Sequence, residues 1–262
     1  MAQQPWHDPR SILITGASSG IGAALARAYA APGITLFLGG RDGARLEAVA
    51  RECRAAGADA RPRAIDVVDA AAMRAWLAEA DAAAPLDLVI ANAGTSAGSG
   101  GTGESEEQAR RIFAVNVDGA MNTVLPILPA MAARGRGQVA LVASLAGFRG
   151  FPGAPAYCAS KATLRVWGEG LRGLMVHQGV AVSVVCPGFV RTPMSDGNPY
   201  PMPMLMEADK AAAIIVRGLA RNRGRIAFPW PLTWLVYAIT ALPVALTDLV
   251  LKRLPKKPAD GT

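Results

Sequence analysis

The sequence predicts a doubly wound α/β domain, a parallel sheet with helices on both faces. Three observations carry that prediction. Short apolar runs alternate with helix-like segments from residue 11 onward, the order that builds a parallel sheet through crossover helices. A glycine-rich turn falls between the first apolar run and the first helical segment. No repeat or interdomain linker interrupts the alternation.

The elements follow in order. SILIT (11–15) is a short buried strand, and AALARAYAA (23–31) is helical, stopping at Pro32-Gly33. ITLFLGG (34–40) is a second buried strand, and DGARLEAVARECRAAG (42–57) is a helix that ends on glycine. ARPRAIDV (60–67) is a third strand, and DAAAMRAWLAEADAAA (69–84) is a helix with Asp69 as its N-cap. LDLVIANAG (86–94) is a fourth strand, and TSAGSGGTG (95–103) a flexible loop after it. A long helix spans about 104–133, followed by strand GQVALVAS (137–144) and a helix over 155–178. Strand GVAVSVVCPG (179–188), a helix near 207–221 and a short strand GRIAFP (224–229) complete the set. Crossovers between parallel strands are right-handed. Ligands of such sheets bind beyond the carboxyl ends of the strands, which puts the 95–103 loop near the site.

Composition bounds the function. The chain has 262 residues, 52% hydrophobic and 18% charged, enough apolar material for a sizeable core. Its net charge of +7 suits anionic partners such as phosphate cofactors, nucleic acid or acidic lipid. Without a Lys/Arg run interleaved with aromatics, no nucleic-acid partner is expected. Cys53, Cys158 and Cys186 are odd in number and far apart, which suggests neither a disulfide framework nor a metal site, and a reducing compartment. The start MAQQPWHDPR has no apolar core of the secretory type. His7 and His177 are the only histidines, so a histidine triad or zinc site is not expected.

TGASSGIG (15–22) is a candidate phosphate cradle. Gly16 permits a tight turn, and Gly20 and Gly22 let the backbone approach a ligand and let helix and strand pack closely. Free N–H groups at the helix start favour a pyrophosphate. A lone glycine motif is weak, but between the first strand and first helix of a βαβ unit it points to a dinucleotide. Ser18 and Ser19 add hydroxyls, and Ile21 lies between the last two glycines. Further along, AYCASKATL (156–164) puts Tyr157 and Lys161 four apart, on one face of a helix.

The spacing Thr-Gly-x-x-x-Gly-x-Gly, followed by Asn92-Ala93-Gly94, a serine, YCASK and Pro187-Gly188, resembles the short-chain dehydrogenase/reductase family, in its branch with chains of about 250 residues. The resemblance covers roughly residues 10–228. It implies a single Rossmann-type domain, here over 1–229, that binds dinucleotide and carries catalysis; this sequence continues past it as an apolar segment with a basic tail over 230–262. It also implies a catalytic set of Asn116, Ser144, Tyr157 and Lys161. An unperturbed phenol has a pKa near 10, and a neighbouring ammonium favours phenolate. Tyr157 is then the acid/base for a carbonyl/alcohol pair, and Ser144 polarises the substrate oxygen. Lys161 also holds the nicotinamide ribose, and Asn116 holds a water linking Lys161 to solvent. Each residue has a plainer reading: Ser144 as a turn cap, Asn116 as a backbone brace, Tyr157 as a core aromatic.

The end of the second strand bears on the cofactor. It reads LFLGGRDGARL, with Arg41 and no carboxylate at the strand end, while Asp42 is placed to cap the next helix. Arg41 can pair with a 2′-phosphate, and family members with arginine here tend to prefer NADP(H); NAD(H) stays the alternative. Ser19 stands where some NADP(H) members carry a second base. The resemblance assigns Asp66 and Val67 to the adenine and Asn92-Ala93-Gly94 to the turn beneath the cofactor. Within PGFVRT (187–192) it assigns Pro187 and Gly188 to the nicotinamide side, and Val190 and Thr192 to the carboxamide.

The tail departs from the family pattern. Residues 226–247 carry no charge, yet the eleven residues between Pro231 and Pro243 make a helix of about 16 Å, too short to cross a membrane. Two short helices are expected, packed on the substrate cleft or a subunit, or lying at a membrane surface. NPYPMPMLME (198–207) lies where the family carries its substrate lid, and its methionines suit an apolar pocket. The expected partners are a small apolar carbonyl or alcohol and a second copy of the chain, as homodimer or homotetramer. The expected setting is the cytoplasm, with peripheral membrane contact open. A cofactor-binding regulator without turnover and a membrane-surface interaction protein are the alternatives from other classes.

Overall fold

A computed structural model describes residues 8–96, 104–196 and 201–251. Its sheet has seven parallel strands in the order β3-β2-β1-β4-β5-β6-β7. They are β1 (Ser11–Thr15), β2 (Thr35–Gly40), β3 (Asp59–Ala64), β4 (Leu88–Ala91), β5 (Gly137–Val142), β6 (Val180–Pro187) and β7 (Arg225–Phe228). β1, β4, β5 and β6 are buried at every position, as apolar strands covered on both faces must be. Two cores sandwich the sheet. Leu13, Phe37, Val89, Val139, Leu141 and Val184 face one side, and Ile12, Ile14, Leu36, Leu38, Ile90 and Val185 the other. Adjacent residues divide between the faces because side chains alternate along a strand.

Helices α1 (Gly20–Tyr29), α2 (Gly43–Ala55) and α3 (Ala70–Ala83) alternate with the first strands. Asp42 and Asp69 cap α2 and α3, accepting from Arg45 N and Ala72 N. α1 starts three residues earlier than its apolar spacing suggests, with the glycine turn itself supplying its first residues. β3 stops at Ala64 instead of Val67: Asp66 Oδ1 accepts from Val68 N, and Asp69 N donates to Asp66 O, closing a turn. β4 is shorter than 86–94, and Asn92-Ala93-Gly94 lies just past its end.

The long helix expected over 104–133 is broken. α4 (Glu106–Phe113) runs into a π-helical segment at Ala114–Asp118, then α5 (Gly119–Val124) and, after Pro126, α6 (Leu128–Arg134). Ser105 and Gln108 form a capping box at its start. By length and composition Glu106–Arg134 could cross a membrane, but Ile112 is buried, and Val124, Leu128 and Met131 belong to the core. α7 (Pro155–Met175) and α8 (Ala208–Ala220) complete the layers.

Past β7 the chain forms α9 (Trp230–Ala241) and α10 (Val244–Leu251), divided near Pro243 as the prolines suggest. α9 lies against β7 and the stretch after Ser144. The Phe148 and Tyr237 ring centroids are 5.1 Å apart, Arg225 donates to the Tyr237 hydroxyl, and Thr240 Oγ1 donates to Phe148 O. The first seven residues, most of the 95–103 loop, residues 198–200 of the lid stretch, and Lys252, Arg253, Lys256 and Lys257 lie outside the described residues.

Candidate functional site

The strand order reverses between β1 and β4, and that is where a doubly wound sheet opens its ligand crevice. The glycine turn sits there. Gly16 and Gly20 have φ of +66° and +54°, in the left-handed region that favours glycine. A Cβ on Gly22 would lie 2.2 Å from Gly16 O, so no larger residue fits. The turn is braced by Asn92, which the resemblance places beneath the cofactor, and by Thr15, the first residue of the glycine motif. Thr15 Oγ1 accepts from Asn92 N at 3.1 Å, and Asn92 Nδ2 donates to Thr15 O and Gly16 O at 3.0 and 3.2 Å. Asn92 thus holds β4 to the turn beneath the crevice.

Ser19 sits at the N-cap of α1 in extended conformation with no side-chain bond to the helix. The first-turn N–H groups of α1 therefore lack a side-chain partner from their own cap, the arrangement an anion fits. Ser18 lies beside the end of β2, its Oγ 3.3 Å from where Gly40 would carry a Cβ. Arg41 follows, exposed, and no ion pair holds it among the described residues. Asp66 is exposed, and Val67 is buried against Gly119, with its backbone carbonyl taken by Asn122 Nδ2.

The candidate catalytic groups converge at the carboxyl ends of β4 and β5. Ser144 lies just past β5 and is 8% exposed. Its Oγ accepts from Ala146 N at 3.1 Å and reaches Pro187 O at 3.4 Å, so it caps the turn and ties β5 to β6. Tyr157 and Lys161 are one turn apart on α7, with Nζ 5.8 Å from the Tyr157 ring centroid. Lys161 is 4% exposed. One of its three N–H donors goes to Val142 O at 2.9 Å. Burial lowers its pKa to about 8. Burial also pushes the neighbouring Cys186 thiol up to about 12 and that of Cys158 to about 11, so neither is a reactive thiolate at neutral pH.

Asn116 is fully buried in the π-helical segment. Its Oδ1 accepts from Thr95 N at 2.7 Å, and its Nδ2 donates to Thr95 O and Ser160 Oγ at 3.0 and 2.9 Å. It thereby joins the chain after β4 to α7. Above Gly94, Asn116 Oδ1 and Lys161 Nζ lie 3.2 and 3.3 Å from the position a Cβ would take. A side chain at residue 94 would press on both. Thr15 and Ser160 lie inside the glycine motif and YCASK, but their bracing roles, and that of Thr95, become visible only in the fold. Glu104 is a further case: its Oε2 accepts from Ala156 N at the start of α7.

Pro187 ends β6. Gly188 donates to Phe228 O at 2.7 Å, and Leu232 of α9 lies 3.0 Å from its Cβ position. Val190 is buried and bridges Met206. The Thr192 methyl lies against Gly20, so the 187–192 stretch folds back over the start of α1. A groove of about 690 Å³ runs along the outer side of α7, lined by Phe148, Phe151, Pro152, Ala159, Arg165 and Val244. Neither Ser144 nor Tyr157 lines it.

These residues fit a nicotinamide dinucleotide. The glycine turn and the open helix start suit its pyrophosphate, and a buried ammonium with donors to spare suits its ribose hydroxyls.

Comparison with known proteins agrees with this reading. The family profile described as "short chain dehydrogenase" matches residues 10–200. An uncharacterized oxidoreductase of Myxococcus xanthus is 40% identical over 250 residues, 94% of this chain and 97% of that one. Galactitol 2-dehydrogenase (L-tagatose-forming) of Cereibacter sphaeroides is 38% identical, over 70% of this chain and 72% of that one. A short chain dehydrogenase/reductase from Burkholderia phymatum, solved in complex with NAD, superposes with a TM-score of 0.81 at 25% identity, covering 100% of this chain and 99% of that one. A short-chain dehydrogenase from Sphingobium yanoikuyae in complex with NADPH gives 0.78 at 26% identity, covering 95% and 98%.

Proposed function

This chain belongs to the short-chain dehydrogenase/reductase family of oxidoreductases, and from that premise we propose that it interconverts an apolar carbonyl and its alcohol with NADP(H) as the preferred cofactor. The observation that carries the reading is the convergence of Ser144, Tyr157 and Lys161, positioned by Asn116, beside a braced glycine turn at the β1/β4 crevice. The nicotinamide, when bound, supplies or accepts the hydride. The chain's own groups do the rest.

Ser144 Oγ donates to the substrate oxygen and stabilises the charge that builds on it. Tyr157 gives that oxygen a proton in reduction and takes one in oxidation. The Lys161 ammonium, fixed by Val142 O, favours the phenolate by its charge and holds the ribose. Asn116 keeps α7 and the chain after β4 in register, and a water held beside it and Lys161 resupplies the proton. Asp66 and Val67 flank the adenine, and Ile21, Ala93, Pro187, Val190 and Thr192 close around the dinucleotide. Arg41, exposed and outside any ion pair among the described residues, meets the 2′-phosphate. NAD(H) is the second reading, favoured by Ser19 where another base would stand. We place the enzyme in the cytoplasm as a homodimer or homotetramer.

The test is a titration with NADPH and with NADH, followed by nicotinamide fluorescence, for wild type and Arg41→Ala. The reading predicts tighter NADPH binding and a loss of about tenfold or more in the variant, confined to NADPH, since a charged hydrogen bond is worth about 1.5–3 kcal/mol. NADH preference in the wild type would overturn the role of Arg41, and binding of neither cofactor would overturn the whole reading.

A further inference from the structure

The C-terminal helices hold large apolar groups outward while burying Thr233 and Thr247, with Thr240 of α9 exposed. On α9, Thr233 and Val236 are 7% and 8% exposed, while Trp230, Trp234 and Leu235 are 73%, 66% and 56% exposed. The start of α10 is similar. Thr247 is buried and accepts from Arg149 Nη2 at 2.8 Å, while Val244 and Leu246 stand out with Leu242 between the helices. A helix on a watery surface does the reverse, and a contiguous exposed apolar face marks an interaction site.

Charge identifies the occupant. No charged residue occurs from Ile226 to Thr247. The chain then carries Lys252, Arg253, Lys256 and Lys257, with Asp248 and Asp260 as the only acids from residue 226 to the end. We propose that the outer face of α9 and α10 docks on an anionic lipid bilayer. Trp230, Trp234, Leu235, Leu242 and Leu246 enter the boundary between headgroups and acyl chains, and the cations that follow meet acidic headgroups. A second copy of the chain fits this face less well. A two-fold contact sets the same patch on both sides, so two basic segments would meet with few acids to pair them. The helices are too short to span, so the contact is peripheral.

The experiment is flotation of the full-length protein with vesicles of phosphatidylcholine alone and of equimolar phosphatidylcholine and phosphatidylglycerol, at low and high salt. The proposal predicts binding to the anionic vesicles, weakened by salt, with a blue shift of tryptophan emission. Lys256→Gln with Lys257→Gln should weaken binding by about fivefold per cation. Trp230→Ser with Trp234→Ser should abolish it while circular dichroism and melting stay as in the wild type. Failure of the wild type to bind either vesicle overturns the proposal, as does binding that neither variant pair changes. A wild-type oligomer that the tryptophan pair converts to monomer, without vesicle binding, would also overturn it and assign the face to a second copy. The lysine pair and the salt series keep the test decisive should the tryptophan pair misfold. None of these readouts depends on the cofactor, so the outcome is independent of the oxidoreductase reading.

Discussion

Lys161→Met should change how stability depends on pH. Lys161 is 4% exposed with a single hydrogen bond, and burial lowers its pKa from 10.5 to about 8. Between those values the unfolded chain binds the proton and the folded chain does not. Stability therefore rises with pH through that window, is complete above the unfolded value, and is lost as pH falls through the folded one. The whole difference corresponds to about 3 kcal/mol, and about 2 kcal/mol of it falls between about pH 7 and pH 9.5. Cys186, pushed up to about 12 by burial, stays protonated through this window, and making both proteins in a Tyr157→Phe background removes the phenol whose titration the Lys161 charge would otherwise shift. The unpaired Val142 carbonyl left by methionine costs the same at every pH. Urea unfolding of the cofactor-free proteins at the two pH values is the assay. The protein that keeps Lys161 should gain about 2 kcal/mol on the methionine variant as pH rises. Equal responses would refute the claim that the ammonium sits desolvated.

Two further substitutions test the framework. Asn116→Leu leaves Thr95 N–H, Thr95 O and the Ser160 hydroxyl short of a partner, so unfolding should be easier by about 2–5 kcal/mol; an unchanged urea midpoint would contradict the bracing role. Gly22→Ala drives a Cβ to 2.2 Å from Gly16 O, so the turn must shift at a cost of about 1–3 kcal/mol, and cofactor affinity by fluorescence titration should fall about tenfold or more, whereas unaltered affinity would show that the turn does not cradle the ligand.

Most of the sheet was legible because buried parallel strands write themselves as apolar runs. SILIT became β1 to the residue. Boundaries failed where a polar side chain, and not periodicity, set the stop, as at Asp66 after β3. The π-helical segment at Ala114–Asp118 left no sequence signal, because its apolar spacing reads as continuous helix while the extra residue per turn is a tertiary accommodation. Spacing put Tyr157 and Lys161 on one helix face, the family resemblance added Asn116 and Ser144, and the fold brings the four to one end of the sheet. Most of their supports were not legible. Thr15, Thr95 and Ser160 act through bonds spanning up to 78 residues, and no local pattern encodes such partners; Asn92 alone among the supports was placed in advance, by the Asn-Ala-Gly turn. The tail's two helices followed from its prolines. Its outward tryptophans did not, since burying Thr233 while exposing Trp230 and Trp234 runs against the hydrophobic pattern that sequence reading relies on.

In the proposed mechanism Tyr157 moves the proton while the rest of the site holds the cofactor. Tyr157→Phe removes only the hydroxyl. Single-turnover oxidation of NADPH, with the carbonyl compound that reacts fastest in a panel of apolar ketones and aldehydes, should slow by about 10²–10⁴-fold, with cofactor affinity within about twofold of wild type as expected for lost chemistry rather than lost binding. Turnover near the wild-type rate in the variant would contradict the account.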